Sequence, residues 1–68
     1  MMKEMIELNP PENKRTYYFR DLTVVNLFNV THFLDSKSTH RLKTKDGKLH
    51  IIPKDFNHIE IKCEEFTL

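Results

Sequence analysis

Four histidines and one cysteine are the side chains that could give this chain metal-binding or nucleophilic chemistry: His32, His40, His50, His58 and Cys63. Zinc sites need three or four converging ligands, and their usual spacings are Cys-x2-Cys and His-x3-His. No pair in this chain has either spacing. A cysteine nucleophile, in turn, needs a histidine within hydrogen-bonding distance. Whether any of these groups meet depends on the elements that carry them.

Two of the histidines flank the clearest local signal in the sequence, a β-hairpin around Asp46-Gly47. Asp-Gly between two alternating apolar and polar runs predicts a tight two-residue loop. With that loop Lys43 lies opposite His50, and directly opposed residues share a face of the sheet. The register therefore predicts that His40 lies on an apolar face and His50 on a basic one.

The last predicted strand, residues 58–66, separates its reactive groups in the same way. Successive side chains of a strand point to opposite faces, which puts Cys63 with Ile59 and Ile61 on one side and His58 on the other. Because the reactive groups are scattered over different faces, the sequence predicts no catalytic residue, no metal site and no cofactor. We expect that the protein is not an enzyme.

Composition limits the chain further. Its 68 residues make one small domain, and the formal net charge is only +1, whereas dedicated nucleic-acid-binding domains are usually strongly basic. A single cysteine and a polar N-terminus without a secretory signal lead us to expect a cytoplasmic protein with no membrane contact. Alanine, glutamine and tryptophan are absent, a bias typical of AT-rich genomes, and it favours an origin in a low-GC bacterium, a phage or a mobile element.

We predict an all-β fold, an antiparallel meander of five to six strands that forms a small barrel of SH3-like size or a strongly twisted sheet. Residues 1–14 form a separate N-terminal segment, because the prolines of NPPEN interrupt regular structure. That segment fits a short helix, a docking strand or a flexible tail. Residues 15–68 form the β domain, in which residues 23–34 are either two strands or one strand bent near Asn29. The predicted core consists of Tyr17, Phe19, Val24, Leu27, Val30, Leu42, Leu49, Ile51, Ile59, Ile61 and Cys63, with Phe56 closing one end.

Residues 15–28 carry the most informative feature for function, because both faces of this predicted hairpin are apolar. A single sheet with one solvated side should alternate more cleanly. Curling into a barrel, the N-terminal segment or another chain must therefore cover the second face. We predict a protein-interaction surface formed by Tyr18, Val25 and Leu27.

A second predicted surface is basic. The hairpin register gathers Arg41, Lys43, Lys45, Lys48 and His50 on one face, next to the aromatic strand 15–20. Cations beside aromatic rings suit single-stranded nucleic acid, although alternating lysines are also the ordinary solvated side of a sheet. We expect first a non-catalytic protein-interaction module, whose partner is another protein or a second copy. The alternative is a single-stranded nucleic-acid-binding domain, and we expect no small-molecule substrate.

Overall fold

The computed structural model describes residues 4–63, which form five β-strands and no helix. The strands are β1 (Ile6–Phe19), β2 (Val24–Asp35), β3 (Thr39–Thr44), β4 (Leu49–Pro53) and β5 (Phe56–Cys63). The predicted all-β meander is confirmed, with five strands in one sheet. The short N-terminal helix is not found among the described residues: β1 starts at Ile6 and crosses position 14, so residues 6–14 belong to the sheet.

The sheet curls strongly, because its two edge strands follow each other in the chain. The strand order is β4-β3-β2-β1-β5, and all neighbours are antiparallel. A flat sheet would hold the two edges roughly 19 Å apart, yet only Lys54 and Asp55 join β4 to β5, and such a link spans at most about 11 Å. The Lys54 N–H donates to the carbonyl of Ser38 (3.1 Å), and the Arg20 N–H donates to the carbonyl of Asp55 (3.3 Å). The connection thus covers one end of the curled sheet, while the described parts of β4 and β5 stay unpaired with each other.

The β3–β4 hairpin has a three-residue turn. The Thr44 N–H donates to the Lys48 carbonyl (3.1 Å), and the Gly47 N–H donates to the Thr44 carbonyl (2.9 Å). Gly47 has a φ of 87°, as expected for the left-handed residue that follows a type I turn in such hairpins. The Asp46 carboxylate accepts the Lys48 N–H (3.1 Å), which fixes the turn from inside.

The β1–β2 hairpin repeats this geometry without a glycine. The Phe19 N–H donates to the Thr23 carbonyl (2.9 Å), and the Leu22 N–H donates to the Phe19 carbonyl (3.1 Å). The Asp21 carboxylate accepts the Thr23 N–H (3.0 Å), as Asp46 does for Lys48. Leu22 takes the position of Gly47 with a φ of 74°, although L-residues with side chains avoid this region.

Strand β2 is one strand that bends at Asn29, as one of the two sequence alternatives proposed. Asn29 has a φ of 57°, and its carbonyl accepts the N–H of Lys45 (2.9 Å). The pairing with β3 shifts between Val30 and His32. Strand β1 has its own irregularity opposite Thr31, where residues 8–11 interrupt the pairing with β2.

The core lies on the concave, inner face of the sheet and consists of Tyr17, Leu27, Val30, Leu42 and Ile52. Leu8, Phe19, Val25, Phe33, Phe56 and Ile59 are partly buried against it. The core prediction is therefore right for Tyr17, Leu27, Val30 and Leu42. It is wrong for Val24, Leu49, Ile51, Ile61 and Cys63, all of which are exposed.

A buried ion pair lies beside the core. The Arg15 Nη1 donates to both carboxylate oxygens of Glu12, at 3.0 and 3.1 Å, and both side chains are less than one-tenth exposed. The guanidinium lies 4.5 Å from the ring centroid of Phe33 and 5.5 Å from that of Tyr17. Its Nε has no hydrogen-bond partner within residues 4–63, so this charge is held mainly by one carboxylate and two aromatic rings.

Candidate functional site

The three-residue turn sets a β3–β4 register that differs by one residue from the predicted one. Lys43 lies opposite Leu49, whereas a two-residue loop would have placed it opposite His50. A shift of one residue moves every side chain of a strand to the other face. The predicted register is therefore wrong, and Leu49 and Ile51 face outward while His50 and Ile52 face the inner side.

Strand β4 is an edge whose backbone groups are available on one side. Residues of an antiparallel pair alternate between hydrogen-bonded and non-bonded positions, and Thr44 is bonded to Lys48. By this alternation Leu49 and Ile51 direct their N–H and C=O groups away from β3, toward the open edge. Their side chains are 57% and 54% exposed. The β4 edge is thus a short template with two backbone positions and two aliphatic side chains.

The residues of the predicted basic face do not lie on one face. Arg41 and Lys43 project outward opposite Ile51 and Leu49, while Lys45 is the first residue of the turn and Lys48 directly follows it. His50 is on the inner side, where its Nε2 lies 3.2 Å from the hydroxyl of Thr44. None of the four cations forms an ion pair with a carboxylate of residues 4–63.

The predicted protein-interaction surface is also divided between the two faces. Leu27 is 5% exposed and belongs to the core, and Val25 packs partly buried against it. Tyr18 lies on the outer face, where its hydroxyl donates to Glu60 (2.7 Å) and its ring lies 5.3 Å from that of His58. The apolar residues of β2 that are exposed on the outer face are Val24 and Phe28, and Leu34 lies half-buried on that face. The curl of the sheet therefore covers one face of this hairpin, and the other face remains exposed.

A row that no sequence signal indicated crosses the outer face. Pairing places Lys62 of β5 opposite Lys14 of β1, and Lys14 opposite Phe28 of β2. The Lys14 Nζ lies 5.8 Å from the centroid of the Phe28 ring, and that side chain is 57% exposed. Lys45 is next to this row, because its N–H bonds to the residue after Phe28. An exposed ring is thus in contact with Lys14, in one row with Lys62 and close in the backbone to Lys45.

His40 is part of a partly buried network that joins three strands. Its Nδ1 lies 2.9 Å from the hydroxyl of Tyr17, and its Nε2 lies 3.4 Å from a carboxylate oxygen of Asp35. Asp35 also contacts the Nζ of Lys54 at 2.6 Å. Burial, reinforced by the positive charge of Arg15, lowers the pKa of His40. The pKa of Tyr17 is raised, mainly by burial.

The tyrosine end of this Asp-His-Tyr network is closed to solvent, because the side chain of Tyr17 is completely buried, whereas Asp35 at the other end is exposed. The Tyr17–His40 contact is therefore part of the core. A fully buried hydroxyl and a neutral imidazole satisfy each other's hydrogen-bonding groups, as buried polar groups must.

The remaining reactive groups lie apart from one another. His32 is half-buried beside the hydroxyl of Thr31 (2.8 Å), and His58 is exposed near Glu60 (3.7 Å). His40 and His50 share the inner face but have different partners. Cys63 is exposed. Among the residues that the structure describes, no three histidine, cysteine or acidic side chains form a group that could hold a metal ion.

One cavity of 290 Å³ opens at the end of the sheet that the β4–β5 connection covers. It is lined by Phe19, Asp21, Thr23, Val25, Pro53 and Asp55. Hydrogen bonds from the hydroxyl and the N–H of Thr23 lower the pKa of Asp21. The lining combines aliphatic and aromatic walls with two carboxylates and contains no histidine or cysteine, so it has no nucleophile and base pair of the kind considered above.

Within residues 4–63 no helix is present that could cross a bilayer. Comparison with protein-family models, with curated proteins and with solved structures finds no match to this chain.

Proposed function

We propose that this protein is a non-catalytic protein-interaction module that binds an extended segment as an additional strand at the β4 edge. The observation that carries the proposal is the outward direction of the backbone groups of Leu49 and Ile51, together with their exposed side chains. In strand addition the backbone hydrogen bonds supply affinity and the alternate side chains supply specificity.

The protection that sheet edges usually have is weak along the middle of β4. Natural edges are shielded by charged residues, prolines or bulges. Here Lys48 and Pro53 flank the strand at its two ends, while Leu49 and Ile51 between them are apolar and exposed. Pro53 has no N–H to donate, so it limits the length of an added strand. A binding segment of four to five residues fits these limits, on the order of the common strand length.

The test uses a charged residue at the edge. In Ile51→Lys the added charge lies in the binding strand but outside the core, so the fold should be retained. Ile61→Lys is the control at the other edge, because Ile61 is similarly exposed (48%) and lies on β5, where it is on the inner side of the sheet. Immobilised wild-type protein and both variants are compared by quantitative mass spectrometry of proteins retained from cell extract. We expect Ile51→Lys to retain at least tenfold less of the partner protein than the wild type does, and Ile61→Lys to retain as much as the wild type. Equal retention by both variants would contradict the proposal.

A second candidate function, single-stranded nucleic-acid binding, is favoured by the Lys62–Lys14–Phe28 row. Like charges directly opposite each other on a sheet are destabilising, and a bound phosphate would relieve the repulsion between Lys14 and Lys62. Phe28 offers a ring on which a base can stack. Of the basic residues predicted from the sequence, Lys45 is next to this row and adds a positive charge at its margin.

Binding to a fluorescent oligo-dT, measured by anisotropy at several salt concentrations, tests this candidate. Phe28→Ala should weaken binding by about 1–3 kcal/mol for the lost stacking. Val24→Ala, a similarly exposed residue of the same strand and face, should leave it unchanged. Lys14→Gln should reduce the salt dependence by about 0.7 in the log-log slope. Binding that is absent at low salt, or equally affected by Phe28→Ala and Val24→Ala, excludes the nucleic-acid function.

The cytoplasmic location stays a prediction from the single cysteine.

A further inference from the structure

We propose that the strand received by β4 is β4 of a second copy of this chain, paired antiparallel and centred on His50. The inference rests on the proposed function and names its partner. The register follows from the positions of the outward backbone groups, which lie at Leu49 and Ile51, one residue on each side of His50.

A two-fold axis through His50 makes this edge complementary to itself. Leu49 of one copy then lies opposite Ile51 of the second copy, and Ile51 opposite Leu49. Both are residues with outward N–H and C=O groups, so each pair can exchange two hydrogen bonds. On the outer face the four aliphatic side chains form one continuous apolar strip. A closed interface of this kind uses the same patch on both copies.

The charges just outside the two ends of the strand are compatible with this register. Centring on His50 brings Asp46 level with Lys54 of the second copy, and Lys54 level with its Asp46. Within one chain Lys54 contacts Asp35 (2.6 Å) and Asp46 accepts the Lys48 N–H (3.1 Å), so an ion pair across the interface would add to these contacts. Lys48 lies level with the uncharged Ile52. The closest like-charged residues on the outer face, Arg41 and Lys43, belong to β3, and three strand spacings separate them from their copies, roughly 14 Å. That distance exceeds the screening length of about 8 Å at physiological salt.

The paired segment is short, so the dimer should be weak. Four backbone hydrogen bonds and four aliphatic side chains make an interface at the small end of specific complexes, a size typical of transient association. Pairing of β4 with β5 of the next copy is the competing arrangement. Head-to-tail contacts of that type give rings or filaments, which differ from a dimer in mass.

A disulfide can test the register directly. In the proposed dimer the two residues at position 50 are a directly opposed, non-hydrogen-bonded pair with Cα atoms about 4.5 Å apart, within the range that a disulfide bridges. The residues at position 49 of the two copies are diagonal neighbours on the other face, and their Cα atoms are about 7–8 Å or more apart. We would compare His50→Cys with Leu49→Cys, each in a Cys63→Ser background. Oxidised glutathione takes up the two electrons and two protons released by the thiols.

We expect His50→Cys to form a covalent dimer at least tenfold faster than Leu49→Cys. Sedimentation equilibrium of the wild-type protein, from micromolar to millimolar concentration, should show a monomer–dimer equilibrium that Ile51→Lys shifts to monomer and Ile61→Lys does not. These wild-type data decide the question even if His50→Cys fails to fold.

The remaining outcomes separate the two proposals. A wild-type protein that is monomeric at millimolar concentration overturns the second-copy inference, as does a mass larger than a dimer or equal cross-linking rates at positions 49 and 50. The proposed function survives such a result if Ile51→Lys still loses a retained protein in the extract experiment. If neither experiment depends on Ile51, both proposals fail.

Discussion

Leu22 should be the weakest local fit between residue type and backbone in this fold, and replacing it with glycine should stabilise the protein. Its φ of 74° costs a residue with a side chain about 1–2 kcal/mol. The side chain is 90% exposed, so its removal forfeits little packing. Glycine adds roughly 0.5–1 kcal/mol of backbone entropy loss on folding. The net gain from Leu22→Gly is therefore about 0.5–1 kcal/mol.

The β3–β4 turn provides the reciprocal experiment. A Cβ on Gly47 would have no atom within 4 Å, so Gly47→Ala tests the cost of a positive φ without a steric clash. We expect it to lower the free energy of unfolding by about 0.5–1 kcal/mol, the balance of the same two effects.

Urea denaturation followed by circular dichroism measures both changes. For a domain of this size 1 kcal/mol corresponds to about 4–8 °C in Tm, so thermal melting gives an independent reading of each shift. If Leu22→Gly lowers stability, or if Gly47→Ala leaves it unchanged, the equivalence of the two turns is wrong. A leucine that stabilised its own turn would have to make contacts that its exposure does not indicate.

Three further predictions concern burial. Folding lowers the pKa of His40, so the unfolded chain binds more protons than the folded one. The contribution of His40 to stability is therefore present above about pH 6.5 and is lost as the pH falls below it. The variant His40→Phe should flatten the pH dependence of the free energy of unfolding, measured by urea denaturation between pH 7.5 and 5.5. Glu12→Leu alone should lower the free energy of unfolding by about 3–5 kcal/mol, because it leaves the charge of Arg15 buried without a partner. The double variant Glu12→Leu with Arg15→Met should recover most of that loss in the same assay. An equal loss in both variants would contradict this account of the ion pair. The exposed Cys63 should react with a thiol reagent at the rate of a free thiol under native conditions, and a rate that rises only with unfolding would show it to be buried.

The parts of the fold that could be predicted from sequence depend on local alternation. Tyr17 lies in the core as predicted, on the same face as Phe19. Leu27 was predicted both in the core and on the protein-interaction surface, because both faces of residues 15–28 are apolar, and only the core position is right. The hairpin around Gly47 was also found from sequence. Its register was not, because Asp-Gly fits both a two-residue loop and the last two positions of a three-residue turn. One additional turn residue then reversed the faces of Ile51 and its neighbours.

The parts of the fold that could not be predicted from sequence depend on pairing between distant parts of the chain. Lys62 and Phe28 meet on one row only because β1 lies between β5 and β2, and no local pattern contains that order. Ile61 lies opposite the inward-facing Arg15, and the sequence placed it correctly on the side of Ile59. It is nevertheless 48% exposed, because β5 is an edge of a sheet that does not close.

The position of β5 beside β1 also has a consequence for biosynthesis. The two strands join residues such as Tyr17 and Ile59, which are far apart in sequence, and contacts of this kind form slowly. During translation β1 to β4 can pair in order, but one edge of β1 stays unpaired until residues 56–63 have left the ribosome. Until then the nascent meander exposes a long aromatic strand, a state in which chains are prone to aggregate. Of the five described strands, the last to be made is therefore the one that shields the first.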